Sequence, residues 1–289
     1  MPHTSVIRRR ASDSATRRAR QGCANRITAV LARLERQILA EREFYLFGNC
    51  NQFRMEVAVS LEARRDASTL LPDSGDRQLH DFLPSATVLL VRAGDRPVGT
   101  VTLFVDGPMG LPLDDSCRGL LDPMRCGARR IAEIGMLGVA ADLAPAATRC
   151  VVMHLVKVAW ICARRLEETS DVVAGIDPGH VGLAARFLMV PMTEVWSGLL
   201  PVRLDAGESE LAFLGRYAGL SGDRDLDLFM RREEGWLIDW LKERRRTLSE
   251  PVLLALLRDR RVSFAALDVE KRHALEDAYL AYDLNEVLS

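Results

Sequence analysis

The sequence has little lysine, almost no net charge and no long apolar run, and each of these absences narrows the functions open to the chain. Lys157, Lys242 and Lys271 are the only lysines, and the formal net charge is -1, so the charge balance gives no reason to expect nucleic acid as a partner. The longest apolar run, residues 150–163, is interrupted by His154 and by Lys157. It is also shorter than the roughly 20 residues of a membrane-spanning helix.

The sequence also lacks the cysteine patterns of metal sites and of disulfide-rich proteins. Its six cysteines form no CxxC pair and no cysteine–histidine spacing typical of zinc, so we predict no metal site. No hydrophobic leader precedes them, and we expect free, mostly buried thiols in a reducing cytoplasm. They are Cys23, Cys50, Cys117, Cys126, Cys150 and Cys162.

What the sequence does contain is typical of a soluble globular protein, with 48% hydrophobic and 27% charged residues. We predict a disordered basic arm at residues 1–23, an α/β domain at 24–220 and a helical C-terminal subdomain at 221–289. The arm carries six arginines against one acid, Asp13, which is typical of a solvated tail. The alternative is peripheral contact with an anionic membrane or with an acidic protein.

Two segments with strand character organise the α/β domain. Residues 98–105 alternate threonine with apolar residues and end at the turn formers of 106–108. Residues 131–139 are apolar throughout except for Glu133. A carboxylate in an apolar strand is costly to bury without a partner, so Glu133 needs a structural or a functional reason.

The neighbouring segments complete a mixed α/β pattern. Residues 86–91 form a further strand, joined to 98–105 as a hairpin through a Gly-Asp turn. A helix at 146–168 and a buried strand at 172–176 follow, so we expect a central mixed sheet flanked by helices. Weaker strands are predicted at 194–200 and 212–214, and further helices at 24–46, 49–64, 181–189, from about 226 to 241, at 251–257 and at 269–280.

A series of motifs follows in a fixed order between about residues 80 and 190. They are Val98-Gly99-Thr100, Asp106, Gly110-Leu111-Pro112, Arg125, Arg130, Glu133 and Val139. This series resembles the N-acyl amino acid synthases of the FeeM type, which are relatives of the autoinducer synthases and, more distantly, of the GNAT acyltransferases. The resemblance implies a GNAT-like α/β fold and an N-acyltransferase that joins a long-chain fatty acyl group from acyl carrier protein to an amino acid or related amine.

The resemblance also implies two catalytic residues. Glu133 is the general base that takes a proton from the attacking amine, and an apolar strand is expected to raise its pKa toward neutrality. The alternative is a structural ion pair of Glu133 with Arg129 or Arg130. His180 matches a Pro-x-His element with Pro178, and its alternative role is a hydrogen bond within its own turn.

Further residues are implied in substrate binding. Asp106, Arg125 and Arg130 match family positions, and an arginine fork is suited to the carboxylate of an amino acid. Taken separately, each is more often a turn aspartate or a solvated arginine. An apolar group is predicted to lie near the acyl chain: Phe104, Met109, Leu111 and Met153.

The segment 140–145 indicates the kind of acyl donor. GNAT enzymes that use coenzyme A hold its pyrophosphate with a glycine-rich basic turn at a helix N-terminus. This segment has no glycine and contains Asp142, so the phosphopantetheine arm of acyl carrier protein fits better, and we expect no other cofactor. A coenzyme A-dependent acetyltransferase is the alternative enzyme.

Four residues depart from the family pattern. Gly135 and Met136 stand where the family usually has Ser-Arg, and Leu183 and Ala184 stand where it usually has an aromatic pair. If the family tyrosine helps to protonate the leaving thiolate, that role is vacant at Ala184. The alternative from a different functional class is therefore a non-catalytic module that binds acyl chains or acyl carrier protein.

Overall fold

The structure, a computed structural model, describes residues 44–45, 53–71, 76–187, 189–195, 198–205, 235–245, 247–259, 269–280 and 282. All of them belong to one compact unit, residues 44–289. The predicted basic arm, nearly all of the helix at 24–46, the strand at 212–214 and the first part of the predicted C-terminal subdomain lie outside the described residues. The domain boundaries therefore stay predictions.

An eight-stranded mixed sheet forms the centre of the fold, in the order β1-β2-β3-β4-β5-β6-β8-β7. Within the described part of the chain, β5 and β6 are the only parallel neighbours. The strands are β1 Phe44–Tyr45, β2 Phe53–Val57, β3 Ala86–Ala93, β4 Arg96–Val105, β5 Ile131–Val139, β6 Asp171–Ile176, β7 Val190–Pro191 and β8 Leu200–Asp205. This confirms the central mixed sheet and its four main predicted strands.

Helices flank the sheet and follow it toward the C-terminus. They are α1 Leu61–Thr69, α2 Asp114–Cys126, α3 Pro145–Ile161, α4 Val181–Arg186, α5 Gly235–Arg244, α6 Glu250–Asp259 and α7 Val269–Ala278. A π-helical turn, Cys162–Leu166, extends α3, and short 3₁₀ turns cover Asp76–Phe82 and Pro178–His180. The order of a hairpin, a third strand, a long helix and a fourth strand is the one that the sequence predicts for a GNAT-like fold, with helices at its C-terminal end.

The helix predicted at 49–64 is wrong for its first half. Phe53–Val57 is a strand that pairs with β3, and its side chains alternate between buried and half-buried positions. The period of two outweighs the helical spacing because the sheet buries one face of the segment. The helix begins only at Leu61, where the Ser60 hydroxyl accepts a hydrogen bond from the Ala63 N–H.

The sheet has two covered faces, because successive side chains of a strand point to opposite sides. On the first, here called the α3 face, Leu103 and Ile134 pack in one core cluster with residues of α3 and α5. On the second, here called the α2 face, Phe104 and Ile131 pack with residues of α2. Glu133, two residues after Ile131, lies on the α2 face.

α3 is the central helix of the core. Together with its π-helical extension it spans 22 residues and is long and apolar enough to cross a membrane, but 67% of its most apolar window is buried in the protein. A core helix passes the same test of length and composition, and α3 packs directly on the sheet. At Gly99 of β4 a side chain would collide with Val151, so glycine permits this close approach.

Because His154 of α3 is buried, we expect the protein to lose stability in mild acid. Burial lowers the pKa of His154 from 6.5 to about 4; its hydrogen bond to the Cys150 carbonyl opposes this, and the charge of Lys157 adds to it. Between these two pH values the unfolded chain binds a proton that the folded chain does not. The free energy of unfolding is therefore highest above pH 6.5 and falls as the pH drops toward 4, by at most about 3 kcal/mol.

Urea denaturation of wild-type protein and of His154→Gln at a series of pH values measures this contribution. The variant should lose less stability than the wild type between neutral and mildly acidic pH. His273→Gln, which changes an exposed histidine of α7, is the matched control and should follow the wild-type curve. Equal pH dependence of wild type and His154→Gln would contradict the assignment.

Candidate active site

The two parallel strands separate directly after Glu133. β5 and β6 pair only between Ile131–Glu133 and Asp171–Val173, although β5 continues to Val139 and β6 to Ile176. Beyond Glu133 the side of β5 that faces β6 has no paired strand in the described structure. A crevice at the carboxyl ends of parallel strands is the usual place for a ligand in an α/β fold.

Glu133 is buried at the start of this crevice. Its residue is 6% exposed, and its Oε2 accepts a hydrogen bond of 2.8 Å from the Leu113 N–H at the start of α2. In the sheet it lies opposite Phe104 of β4 on one side and Val173 of β6 on the other. Burial disfavours the charged carboxylate, while the N–H donor and the helix N-terminus favour it.

Glycines let the segment before α2 approach this carboxylate. Gly110 has a φ of +70°, and a side chain there would collide with the Asp114 carboxylate. A Cβ at Gly175 of β6 would lie 2.9 Å from Leu113. The Gly110-Leu111-Pro112 motif thus serves to bring the Leu113 N–H onto Glu133.

Gly135 does not leave open space beside Glu133. A Cβ at Gly135 would lie 3.2 Å from Glu133 Oε1 and 3.2 Å from the Phe104 ring. The space that a side chain at Gly135 would need is therefore filled by the Glu133 carboxylate and the Phe104 ring. Together they close the α2 face at this point.

Arg129 and Arg130, the arginines considered as ion-pair partners of Glu133, both bind other carboxylates. Arg129 pairs with Asp171 and, at 3.1 Å, with Asp205. Arg130 is 58% exposed and faces Glu168 at 4.0 Å, at the amino end of β5. Arg130 is thus a surface arginine, and the structure does not bring it to the crevice.

Arg125 lies in an ion-pair cluster. Its Nε and Nη2 bind Asp106 at 2.7 and 2.9 Å, its Nη1 and Nη2 bind Asp114 at 2.7 Å each, and its Nη1 binds Asp122 at 3.0 Å. These contacts occupy all five N–H donors of a guanidinium. The predicted fork for a substrate carboxylate is therefore filled by the protein, and Asp106 is one of the groups that fill it.

The cluster holds its members in their charged forms. The hydrogen bonds that Arg125 donates to Asp114 and Asp106 raise its pKa. Burial would raise the pKa of Asp114, but hydrogen bonds from Arg125 and from the Leu111 N–H lower it overall. The cluster therefore anchors the start of α2, from which the Leu113 N–H reaches Glu133.

The four residues predicted to share one acyl chain lie in three separate core clusters. Phe104 and Leu111 pack with α2, Met109 packs against the cluster of the C-terminal helices, and Met153 packs in the α3-face core. The sheet separates Met153 from Phe104 and Leu111. The sequence could not show this, because all four residues are simply apolar and the faces are set by tertiary packing.

A small apolar pocket lies on the α3 face. Seven apolar side chains and Lys157 line it. Ile134, the residue after Glu133, is one wall, and Val172, the residue before Val173, is another. The pocket, here called the Lys157 pocket, therefore lies on the reverse side of the point where β5 and β6 separate.

The remaining predicted residues lie around the crevice. His180 is exposed and begins α4 shortly after β6 ends. Met136 has a φ of +50° at a β-bulge, where Met136 and Leu137 stand opposite Val101. Ala184 is buried in the α3-face core. Bulges are common beside active sites because they redirect a strand.

His80 is a buried titratable residue that the sequence analysis missed. It is 3% exposed, and its ring meets the Phe104 ring edge-on with centroids 6.2 Å apart. Burial lowers its pKa. Its position one residue before Asp81 in a short 3₁₀ turn carries no periodic signal, so the sequence offered no means of finding it.

Gly110→Ala is expected to destabilise the protein by roughly 3 kcal/mol, because a left-handed φ strains alanine and the Asp114 carboxylate cannot move away from Arg125. Gly94→Ala is the matched control. It has a similar φ of +60° but nothing within 4 Å of the added Cβ, so it should cost only about 1 kcal/mol. Thermal denaturation of both variants measures the difference, and equal losses would show that the Asp114 contact is unimportant.

Comparison with known proteins gives one family match. Residues 65–194 match the family model of the N-acyl amino acid synthase FeeM. The match includes β3 to β7 and every predicted site residue, and it confirms the resemblance in the sequence. It identifies the matched region as an acyltransferase domain. No curated protein matches the chain.

Solved structures give more distant likenesses. FeeM from uncultured soil microbes is 16% identical, with a TM-score of 0.48, and the alignment covers 55% of this chain and 97% of that one. An acyl-CoA N-acyltransferase from Pseudomonas aeruginosa is 14% identical, with a TM-score of 0.38, covering 52% and 97%. Escherichia coli ElaA is 13% identical, with a TM-score of 0.39 and the same coverage. At these values the likenesses carry no inference about substrates.

Proposed function

We propose that the protein is an N-acyltransferase that moves a long-chain fatty acyl group from acyl carrier protein to the amine of an amino acid or a related compound, in the cytoplasm. The observation that carries this proposal is the position of Glu133. It is a buried carboxylate at the point where the only described parallel strand pair separates, within the region that matches the FeeM family model.

In the proposed reaction the amine nitrogen attacks the thioester carbonyl. The C–N bond forms, the C–S bond breaks, and the carrier leaves as its thiol. Glu133 takes the proton that the amine loses, directly or through one water. Main-chain N–H groups of β5 beyond Glu133, on the side without a paired strand, are suited to hold the carbonyl oxygen as it becomes negative.

His180 is proposed to act on the leaving group. It lies at the carboxyl end of β6, which is the end at which the crevice opens, and it is exposed. A histidine there is accessible to a carrier arm that enters from solvent, and it can give a proton to the departing thiolate. This would fill the role that Ala184 leaves vacant.

The segment before α3 supports acyl carrier protein rather than coenzyme A as the donor. It contains no glycine. Asp142 is exposed and pairs with Arg96. This leaves a carboxylate close to the helix N-terminus, where a pyrophosphate would be repelled.

Purified protein incubated with palmitoyl-acyl carrier protein and a mixture of amino acids tests the proposal. Mass spectrometry should detect N-palmitoyl amino acids, together with release of the carrier thiol. Palmitoyl- and acetyl-coenzyme A assayed in parallel should be much poorer donors. Saturable binding of the acylated carrier without any amide would favour the non-catalytic module, and preference for acetyl-coenzyme A would favour the acetyltransferase.

A further inference from the structure

Asp114 is a nearly buried acid in the first turn of α2. It is 7% exposed, and its carboxylate accepts hydrogen bonds of 2.7 Å from Arg125 Nη1, from Arg125 Nη2 and from the Leu111 N–H. The Asp114 N–H donates in return to the Leu111 carbonyl at 2.9 Å. Asp114 and Leu111 are thus joined twice, and they close a turn that contains Pro112 and Leu113.

This turn makes the direct contact with the proposed base. The Leu113 N–H donates to Glu133 Oε2 at 2.8 Å, and both residues are buried. A main-chain N–H cannot rotate by itself, because the planar peptide bond fixes its direction. The geometry of the Leu113–Glu133 hydrogen bond therefore depends on how the turn is closed, and Asp114 closes it.

We propose that Asp114 is a positioning residue for Glu133, which closes the turn from Leu111 and so holds the Leu113 N–H on Glu133 Oε2. The inference rests on the proposed function for the role of Glu133 as the base. It deepens that function by naming the group that orients the base and keeps it ionised. A hydrogen bond to the charged form of a carboxyl favours that form, so Glu133 stays able to accept a proton at lower pH.

Other charged groups near Glu133 act on it through space. Asp115 follows Asp114 in the same turn but is exposed, and no hydrogen bond to its carboxylate is present among the described residues. The remaining titratable or charged groups on the elements around Glu133 are Arg118, Asp122 and Arg125 of α2, Asp106 after β4, Asp171 of β6 and His80 beside Phe104. Removing a negative charge nearby lowers the pKa of a carboxyl, whereas removing a hydrogen-bond donor raises it. The sign of the change therefore separates positioning from simple repulsion.

Infrared titration tests the proposal without requiring turnover. The carboxylic acid band of Glu133 is identified as the signal that is absent from Glu133→Gln. In Asp114→Ala its midpoint should move up by about one pH unit, because a hydrogen bond to a charged group contributes at least that much. Asp115→Ala removes the same charge from the same turn, and its midpoint should stay at the wild-type value or fall slightly. A midpoint in Asp114→Ala that stays or falls overturns the proposal.

A second replacement removes the donor itself and does not depend on the folding of Asp114→Ala. Incorporation of the α-hydroxy acid counterpart of leucine at position 113 exchanges the Leu113 N–H for an oxygen and keeps the side chain. The midpoint should then rise at least as far as in Asp114→Ala. Asp114→Asn keeps an oxygen for the Leu111 N–H and should restore most of the wild-type value. An unchanged midpoint after the exchange at position 113 overturns the proposal, as does an increase in Asp114→Asn equal to that in Asp114→Ala.

The pH dependence of amide formation separates this proposal from the proposed function. The acid limb of kcat/KM should move up in Asp114→Ala by the same amount as the infrared midpoint. Amide formation with an unmoved acid limb refutes the positioning role and leaves the transferase. A shifted infrared midpoint in a protein that forms no amide refutes the transferase and leaves Asp114 as the residue that controls the protonation of Glu133.

Discussion

Glu133→Gln is expected to lower amide formation about 100-fold or more, the usual size of a general-base contribution. Glutamine keeps the shape of the side chain, and its carbonyl oxygen can still accept the hydrogen bond from the Leu113 N–H. It cannot take a proton from the amine. The initial rate of N-acyl amino acid formation at saturating donor measures the effect, and binding of the acyl donor should change little.

The thermal stability of Glu133→Gln decides between a catalytic and a structural role for Glu133. If Glu133 serves catalysis, Glu133→Gln should melt within a few degrees of wild type while turnover is lost. Glu168→Gln removes an acid that is 81% exposed and should leave both properties unchanged. Full turnover in Glu133→Gln would exclude the general base, and a large loss of stability would favour a structural carboxylate.

The strands of the core could be predicted because each carries its own signal. β3, β4, β5 and β6 combine apolar or alternating residues with turn formers at their ends, and burial on both faces of the sheet agrees with that pattern. β2 was missed because a short strand of five residues can also be fitted to a helical period. Its strand character comes from pairing with β3, which lies more than thirty residues away in sequence.

The site could be predicted only in part, because its geometry depends on partners distant in sequence. Glu133 stands out by chemistry alone, as a lone acid in an apolar strand. The roles of Arg125 and Arg130 depend on which carboxylates the fold brings to them, and no local pattern reveals that.

Arg125→Leu is expected to destabilise the protein by roughly 3 kcal/mol, because it leaves buried carboxylates without their cation. Asp114 has a side chain that is only 4% exposed, and Asp106 is 16% exposed. The loss should lower the melting temperature by roughly 6–12 °C for a domain of this size. Arg130→Leu is the control, since its side chain is 58% exposed and should change the free energy of unfolding by less than about 0.5 kcal/mol.

A double variant shows whether Arg125→Leu destabilises the protein because it leaves the Asp114 carboxylate unpaired. Asp114→Asn removes the negative charge but keeps an oxygen for the Leu111 N–H, which donates to Asp114 at 2.7 Å. Combined with Arg125→Leu, it should recover about half of the lost stability, because the largest unpaired buried charge is then gone. A double variant that loses the sum of the two single effects would show that Arg125 and Asp114 act independently.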